Sequence, residues 1–170
     1  FNIFFDIKFH DIPNTVAHSI LSFKGYPINL LTVHISGGMS MLIRAREAAH
    51  AIKSKVIGVS LLTSLDQKDV ERVFFNDIRK VADNLFDLAK EANMDGIVCS
   101  AHELKYARTN IPNLLKIVPG IRLSSDNDDQ KRVMSPGEAL KLGANHLVIG
   151  RPITESKHPN AELEKIYETL

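Results

Sequence analysis

The sequence predicts an α/β protein, a TIM (β/α)8 barrel of which this chain supplies about six of the eight units. Three observations indicate this fold. Short apolar runs alternate with longer segments of helical period, the runs lack polar alternation, and polar or glycine residues follow nearly every run. Such alternation requires a parallel sheet with helical crossovers. An open doubly wound sheet meets the same requirement, so a closed barrel and an open sheet are the two alternatives.

Six apolar runs are the predicted strands. They cover residues 3–9, 31–36, 56–61, 96–100, 116–118 and 146–149, and they are rich in Val, Ile, Leu and Phe. Strands without clean polar alternation are typical of sheets that are covered on both faces. We therefore expect a layer of helices on the outside of each strand.

Helix signals fill the intervals between the strands. The clearest predicts one helix over 67–92, with its apolar residues on a single stripe. Another helix begins near Pro136 and stops at Gly143, and Gly25 is expected to end the first helix in the same way. No linker, low-complexity tract or charge block divides the chain, which predicts a single barrel domain over residues 1–170.

The positions of polar and glycine residues favour the barrel over the open sheet. Such residues follow the strands at Asp11, 36–38, 63–64, Ser100, 119–120 and 150–151. Barrels carry their active sites on a ring of loops at one face, whereas an open sheet concentrates functional residues at one switch point. Six units in 170 residues average about 28 each, so eight would need about 225. The chain is predicted to be two units short.

Composition excludes several classes of function. The 21 Lys+Arg and 20 Asp+Glu leave a net charge of +1, which provides no electrostatic attraction for nucleic acid or an anionic membrane. No apolar run approaches the ~20 residues of a membrane helix, and the first residues do not resemble a signal peptide. Cys99 is the single cysteine, and the seven histidines form no ligand-spaced pair. We expect a cytoplasmic protein without a metal site.

The first strand carries charges that an apolar strand would normally exclude. Asp6 and Lys8 are two residues apart, so their side chains project from the same face. Burying two charges costs several kcal/mol each before they pair. Asp11 follows the strand within reach of the same ammonium, and a lysine between carboxylates stays protonated, as a proton donor must. The alternative is an ordinary ion pair at the end of a strand.

The last two strands end in glycine and arginine. Gly120 precedes Arg122 by two residues, and Gly150 directly precedes Arg151. Glycine lets backbone N–H groups approach an anion, arginine offers a bidentate fork, and barrels bind phosphate after their last two strands. The alternative is a turn beside a solvated arginine. The polar stretch 123–132 predicts a mobile lid, or a plain surface loop.

The residues from Asp6 to Thr15 closely resemble the motif of the orotidine 5′-phosphate decarboxylase family. They read Asp6-Ile7-Lys8-Phe9-His10-Asp11-Ile12-Pro13-Asn14-Thr15. The resemblance continues in order through Thr32-Val33-His34, Leu62-Thr63-Ser64, Val98-Cys99-Ser100, Pro119-Gly120-Ile121-Arg122, 128–136 and Val148-Ile149-Gly150-Arg151-Pro152-Ile153-Thr154. It therefore spans nearly the whole chain and is most similar to the common bacterial branch.

This resemblance implies decarboxylation of orotidine 5′-monophosphate to UMP and CO2, the last step of de novo pyrimidine nucleotide biosynthesis, without a cofactor. By the same resemblance, Lys8 protonates C6 of the pyrimidine and Asp6 lies against the departing carboxylate. Asp11 and Thr15 are implied to enter the site of the partner subunit, which makes the protein a homodimer with shared active sites.

The resemblance also implies the substrate-binding residues. Thr63 corresponds to a contact at the pyrimidine end, and Gln130 and Arg151 correspond to residues that hold the phosphate. The full implied set is Asp6, Lys8, Asp11, Ile12, Thr15, Thr63, Arg122, Gln130, Gly150 and Arg151. The family's aspartate for the ribose hydroxyls and its second lysine have no counterpart in this chain.

Two other functions compete with this one. A sister enzyme that shares the Asp-x-Lys-x-x-Asp strand would act on a 3-keto sugar phosphate through Mg²⁺, but such relatives usually lack the continuation from Phe9 to Thr15. A non-catalytic nucleotide-binding barrel is the other alternative. Retention of Asp6, Lys8 and Asp11 argues against it, because loss of function would remove buried charges first.

Overall fold

The computed structural model describes residues 1–122 and 134–170, in which six parallel strands alternate with eight α-helices. The strands are β1 (Ile3–Phe9), β2 (Ile28–His34), β3 (Lys55–Val59), β4 (Gly96–Val98), β5 (Leu115–Val118) and β6 (His146–Leu147). The helices are α1 (Pro13–Leu21), α2 (Met39–Ala51), α3 (Gln67–Phe74), α4 (Ile78–Glu91), α5 (Leu104–Asn110), α6 (Pro136–Lys141), α7 (Arg151–Thr154) and α8 (Pro159–Glu168). Single 3₁₀ turns cover Ile35–Gly37 and Ala101–Glu103.

The strands are hydrogen-bonded in the order of the sequence, from β1 to β6. An open doubly wound sheet reverses its strand order at the switch point, so sequential order excludes that closure. The sheet also curls, because Phe4 of β1, Ile117 of β5 and His146 of β6 line one cavity of about 270 Å³. Curling with sequential parallel order is barrel topology, as the sequence predicts.

The core lies between the curled sheet and the helices outside it. Leu31 and Val33 of β2 are fully buried and belong to one cluster with Ile20 of α1 and Leu42 of α2. Because side chains alternate along a strand, the even-numbered residues of β2 face the interior of the curl. Thr32 is among them and is also fully buried. The interior face is the one that carries the charged pair of β1.

The expectation that every strand is covered on both faces is wrong for β1. Ile3 and Ile7 remain 41% and 42% exposed, since β1 is an outer strand with β2 as its one neighbour among the described strands. A ring cluster covers part of the outer face of β1, with Phe5 and Phe9 lying 4.9 Å and 6.5 Å from Phe23. The two-sided cover holds from β2 to β5.

The single helix predicted over 67–92 is also wrong, because the segment folds as α3 and α4. Phe75 adopts a left-handed backbone with φ 55°, which ends α3. The carboxylate of Asp77 then accepts hydrogen bonds from the N–H groups of Arg79 and Lys80 and begins α4. The apolar stripe continues across this three-residue break, so periodicity alone does not reveal it.

The remaining boundaries differ from the predicted ones by a few residues. The predicted strand 31–36 ends at His34, because a 3₁₀ turn begins at Ile35. The first helix ends at Leu21 rather than at Gly25, which has φ 94° in the turn that follows. Gly143, with φ 107°, ends the helix that begins at Pro136, as predicted.

Candidate active site

The residues predicted to carry function follow the C-terminal ends of different strands. Lys8 and Asp11 lie at the end of β1, Thr63 follows β3, Arg122 follows β5, and the Gly150–Arg151 pair follows β6. Parallel strands end at the same edge of a sheet, so these segments share one face of the curled sheet. This is the face on which barrels carry active sites.

The centre of this face is an ion pair within β1. The Nζ atom of Lys8 donates to Oδ2 of Asp6 at 2.7 Å, which confirms that the two side chains project together. The side chains are 36% and 40% exposed, so the expectation of a buried pair is wrong. Both side chains are therefore in contact with solvent.

The backbone at Lys8 is unusual for a strand. Phe5 lies opposite Leu31 and Phe9 opposite Val33, so four steps along β1 match two steps along β2. The extra residues form a bulge, and Lys8 within it has φ 55°. A left-handed conformation costs a non-glycine residue about 1–2 kcal/mol. The bulge directs the Lys8 ammonium toward the carboxylate two residues earlier.

Thr32 of β2 connects to both members of the pair. Its hydroxyl accepts a hydrogen bond from the backbone N–H of Lys8 at 2.8 Å and donates one to Oδ1 of Asp6 at 3.0 Å. Sequence reasoning assigned Thr32 no role in the site. The available signal was a polar residue in an apolar run on the strand that follows the charged one.

Asp11 does not join the ion pair. Its Oδ1 atom accepts from the N–H of Ile12 at 2.6 Å, and no ion pair links Asp11 to Lys8 in the described part of the chain. The expectation that Asp11 reaches the same ammonium is therefore wrong within one subunit. Ile12 is 67% exposed, and Thr15 lies on the exposed side of α1. Asp11, Ile12 and Thr15 are thus all exposed to solvent.

Two histidines stand next to the pair. The rings of His10 and His34, which follow β1 and end β2, are 5.2 Å apart and tilted by 40°. Burial lowers the pKa of His34, the neighbouring His10 and Lys8 lower it further, and Asp6 opposes them. His34 is therefore held neutral at pH 7 beside the ammonium.

The predicted phosphate end is only partly described. Gly120 has φ 76°, and the backbone N–H of Arg122 donates to the carbonyl of Met134 at 3.1 Å. Gly150 is exposed and precedes α7, whose first residue is the half-buried Arg151. Gln130 and the lid predicted over 123–132 lie outside the described residues.

Elsewhere in the described residues, the structure shows no alternative site for the predicted functional residues. A cavity of about 610 Å³ between α4 and α5 is lined by Asp83 and Tyr106 and includes no predicted site residue. Within 1–122 and 134–170, no group of three or more His, Cys, Asp or Glu is placed to hold a metal ion. No helix in these ranges is long and apolar enough to span a membrane.

Comparisons with known proteins match this chain to one family. The model of the orotidine 5′-phosphate decarboxylase / HUMPS family matches residues 1–166. A protein of Ehrlichia chaffeensis named orotidine 5′-phosphate decarboxylase is 46% identical over 168 residues, which cover 96% of this chain and 72% of that relative. A protein of the same name from Wolbachia pipientis is 42% identical, covering 99% of this chain and 75% of the relative.

Solved structures give the same result for the fold. The crystal structure of orotidine 5′-phosphate decarboxylase from Lactobacillus acidophilus has a TM-score of 0.85 and 32% identity, covering 99% of this chain and 75% of that one. The Sulfolobus solfataricus enzyme, at 22% identity and a TM-score of 0.74, supports the fold alone. The extent of these matches and the order of the motifs along the strands show that the chain belongs to the orotidine 5′-phosphate decarboxylase / HUMPS family.

Proposed function

We propose that the protein encoded by the complete reading frame catalyses the decarboxylation of orotidine 5′-monophosphate to UMP and CO2, with Lys8 as the proton donor. The observation that carries the proposal is the 2.7 Å pair of Lys8 and Asp6, which lies on the face where barrels act. The relatives named as this decarboxylase, at 46% and 42% identity, support the reaction.

The chemistry follows from the charges of the pair. Breaking the bond from C6 to the carboxylate releases CO2 and leaves an electron pair on C6. A fixed ammonium beside that carbon stabilises the developing negative charge, and Lys8 then transfers a proton to C6. Asp6 orients the ammonium and lies beside the departing carboxylate. The partial exposure of both side chains leaves room for the pyrimidine.

The rest of the substrate is assigned to the loops after the other strands. Thr63 contacts the pyrimidine end, Gln130 and Arg151 bind the phosphate, and Arg122 and Gly150 complete the binding site. Phosphate contacts remote from C6 supply binding energy that orders the charged pair during reaction. Arg151→Ala should therefore weaken binding of UMP and leave binding of uridine, which lacks the phosphate, unchanged.

Replacement of Lys8 tests the proposed role directly. In the protein encoded by the complete reading frame, Lys8→Ala should abolish nearly all turnover, measured as substrate absorbance and CO2 release, while UMP still binds in calorimetry. Lys24→Ala is the matched control, because Lys24 is exposed beyond α1 at the opposite end of β1. A Lys8→Ala rate above about a tenth of wild type, a loss below ~1.4 kcal/mol, would contradict the assignment.

A homodimer with shared sites is the second part of the proposal. Its support is that Asp11 makes no ion pair with Lys8 in the described part of the chain, and that the side chains of Ile12 and Thr15 are exposed. Each subunit would contribute Asp11, Ile12 and Thr15 to the site of its partner. We place this dimer in the cytoplasm.

Mixing two inactive variants tests the shared site. A dimer of one Asp11→Ala subunit and one Lys8→Ala subunit contains one site that carries neither change. After complete exchange of equal amounts, about a quarter of wild-type activity should return, because half of the dimers are mixed and each has one intact site. No recovery after exchange has been verified by mass, or a strictly monomeric protein, would refute sharing.

A further inference from the structure

The most constrained polar side chain near the charged pair is Thr32. It is fully buried in β2, yet its hydroxyl is 2.8 Å from the backbone nitrogen of Lys8 and 3.0 Å from Oδ1 of Asp6. The other oxygen of Asp6 accepts from the Lys8 ammonium at 2.7 Å. Three hydrogen bonds therefore form a closed loop through Thr32, Asp6 and Lys8.

The direction of each hydrogen bond in this loop is determined by chemistry. A carboxylate only accepts and a backbone N–H only donates, whereas a hydroxyl has one proton and two lone pairs. The Thr32 hydroxyl must therefore donate its hydrogen bond to Asp6 and accept one from the backbone N–H of Lys8. In the structure the hydroxyl donates to one carboxylate oxygen and the ammonium to the other, so Asp6 is held from both sides.

The same hydroxyl supports the strained backbone at Lys8. The bulge between Phe5 and Phe9 places Lys8 at φ 55°, a conformation that persists in a non-glycine residue only when its surroundings hold it. The hydrogen bond from the Lys8 N–H to a side chain anchored in a central strand provides that support. Thr32 thus acts on both the backbone and the ammonium partner of Lys8.

We propose that Thr32 is a positioning residue for proton transfer: its hydroxyl holds the left-handed bulge at Lys8 and orients the Asp6 carboxylate toward the ammonium. This inference rests on the proposed function. Thr32 does not contact the reacting atoms, so its removal should lower kcat and leave substrate binding nearly unchanged. Without the hydroxyl, the Lys8 ammonium is no longer held in position for proton transfer in the transition state. The phosphate contacts at the other loops are unaffected.

Two matched pairs of side chains separate the hydroxyl from packing. Threonine and Thr32→Val have the same shape and differ in the hydroxyl, and Thr32→Ser and Thr32→Ala differ in the same way without the methyl group. Thr109→Val is the outside control, since Thr109 is exposed on α5 and its hydroxyl donates to the carbonyl of Lys105. All variants are made in the protein encoded by the complete reading frame and assayed well below their melting temperatures.

The hydroxyl-bearing member of each pair should be the faster enzyme. We expect the kcat of Thr32→Val to be at least about tenfold below that of wild type, and the kcat of Thr32→Ala to be at least about tenfold below that of Thr32→Ser. KM should change less than about threefold within each pair. Values of kcat within about twofold in both pairs would overturn the inference, as would a loss confined to KM. If Val and Ala unfold while Ser folds, the hydroxyl serves folding and the inference is wrong.

Failure of this inference is distinguishable from failure of the proposed function. A wild-type protein that binds UMP but does not decarboxylate orotidine 5′-monophosphate refutes the function itself, and Thr32 then has no proton transfer to support. Wild-type turnover with fully active Thr32→Val and Thr32→Ala variants leaves the function intact and refutes only the positioning role.

Discussion

Gly96→Ala should destabilise the protein, because β4 and β5 leave no free space for a Cβ atom at this position. Gly96 pairs with Leu115 across the two strands. A Cβ atom on Gly96 would lie 2.7 Å from both the Cβ and the carbonyl oxygen of Leu115, and 3.0 Å from Cδ1 of Ile57. The first two distances are about 0.7 Å short of the 3.4 Å at which ordinary contact begins.

The magnitude follows from what obstructs the new atom. Overpacking a core costs about 1–3 kcal/mol, and obstruction by a carbonyl oxygen and by a Cβ atom, neither of which moves unless the backbone moves, places Gly96→Ala in the upper part of that range. For a domain of this size each kcal/mol lowers the melting temperature by about 2–4 °C. We expect a decrease of about 4–12 °C, measured by circular dichroism at fixed protein concentration with urea unfolding as a second probe.

Gly58 of β3 provides the matched contrast. A Cβ atom there would lie 2.6 Å from Cγ1 of Ile35, which belongs to a side chain, so Ile35→Ala should relieve part of the cost of Gly58→Ala. A favourable coupling of about 1 kcal/mol is expected in that double-mutant cycle. Leu115→Ala should not relieve Gly96→Ala, because alanine keeps both obstructing atoms. A melting temperature of Gly96→Ala within about 1 °C of wild type, or its rescue by Leu115→Ala, would refute the reasoning.

Three further predictions concern stability. Phe75→Gly should stabilise the protein by about 0.5–1 kcal/mol in urea unfolding, because Phe75 has φ 55° and its ring is 89% exposed; Phe75→Ala, which keeps the Cβ atom, should give no such gain. Burial lowers the pKa of His34 from 6.5, so the unfolded chain binds more protons and stability should fall from pH 7 to pH 5. His34→Gln should flatten that dependence, and an equal decrease in both proteins would contradict the assignment. The 170-residue chain expressed by itself should aggregate, because β1 and β6 are the outer strands of the described sheet and β1 exposes Ile3 and Ile7; a soluble, cooperatively melting product would contradict this.

The sequence alone was sufficient for the class of fold and for the family. Apolar runs indicate parallel strands, and periodic segments indicate helices. Polar residues after each run indicate loops at one end of the sheet. The bounds of β1 and the shared face of Asp6 and Lys8 were predicted correctly, because both depend on alternation within one short strand. The family resemblance rests on the same local motif.

Local pattern was insufficient where neighbouring side chains decide the backbone. The break between α3 and α4 depends on the left-handed Phe75 and on the Asp77 cap, which the continuous apolar stripe conceals. The exposure of β1 likewise depends on how many strands flank it. A run of Phe and Ile predicts a buried strand, whether the strand lies at the edge or in the middle of the sheet.

The arrangement around Lys8 was decided by the tertiary structure. The spacing of Asp6 and Lys8 predicts an ion pair but not the bulge, because the bulge arises from the register of β1 on β2. Thr32 is 24 residues from Lys8 along the chain and reaches it only when the two strands lie side by side. The sequence therefore determined which charges are present and on which face, whereas strand pairing determined the direction in which the ammonium points, since hydrogen bonds between strands set backbone torsions that no single strand specifies.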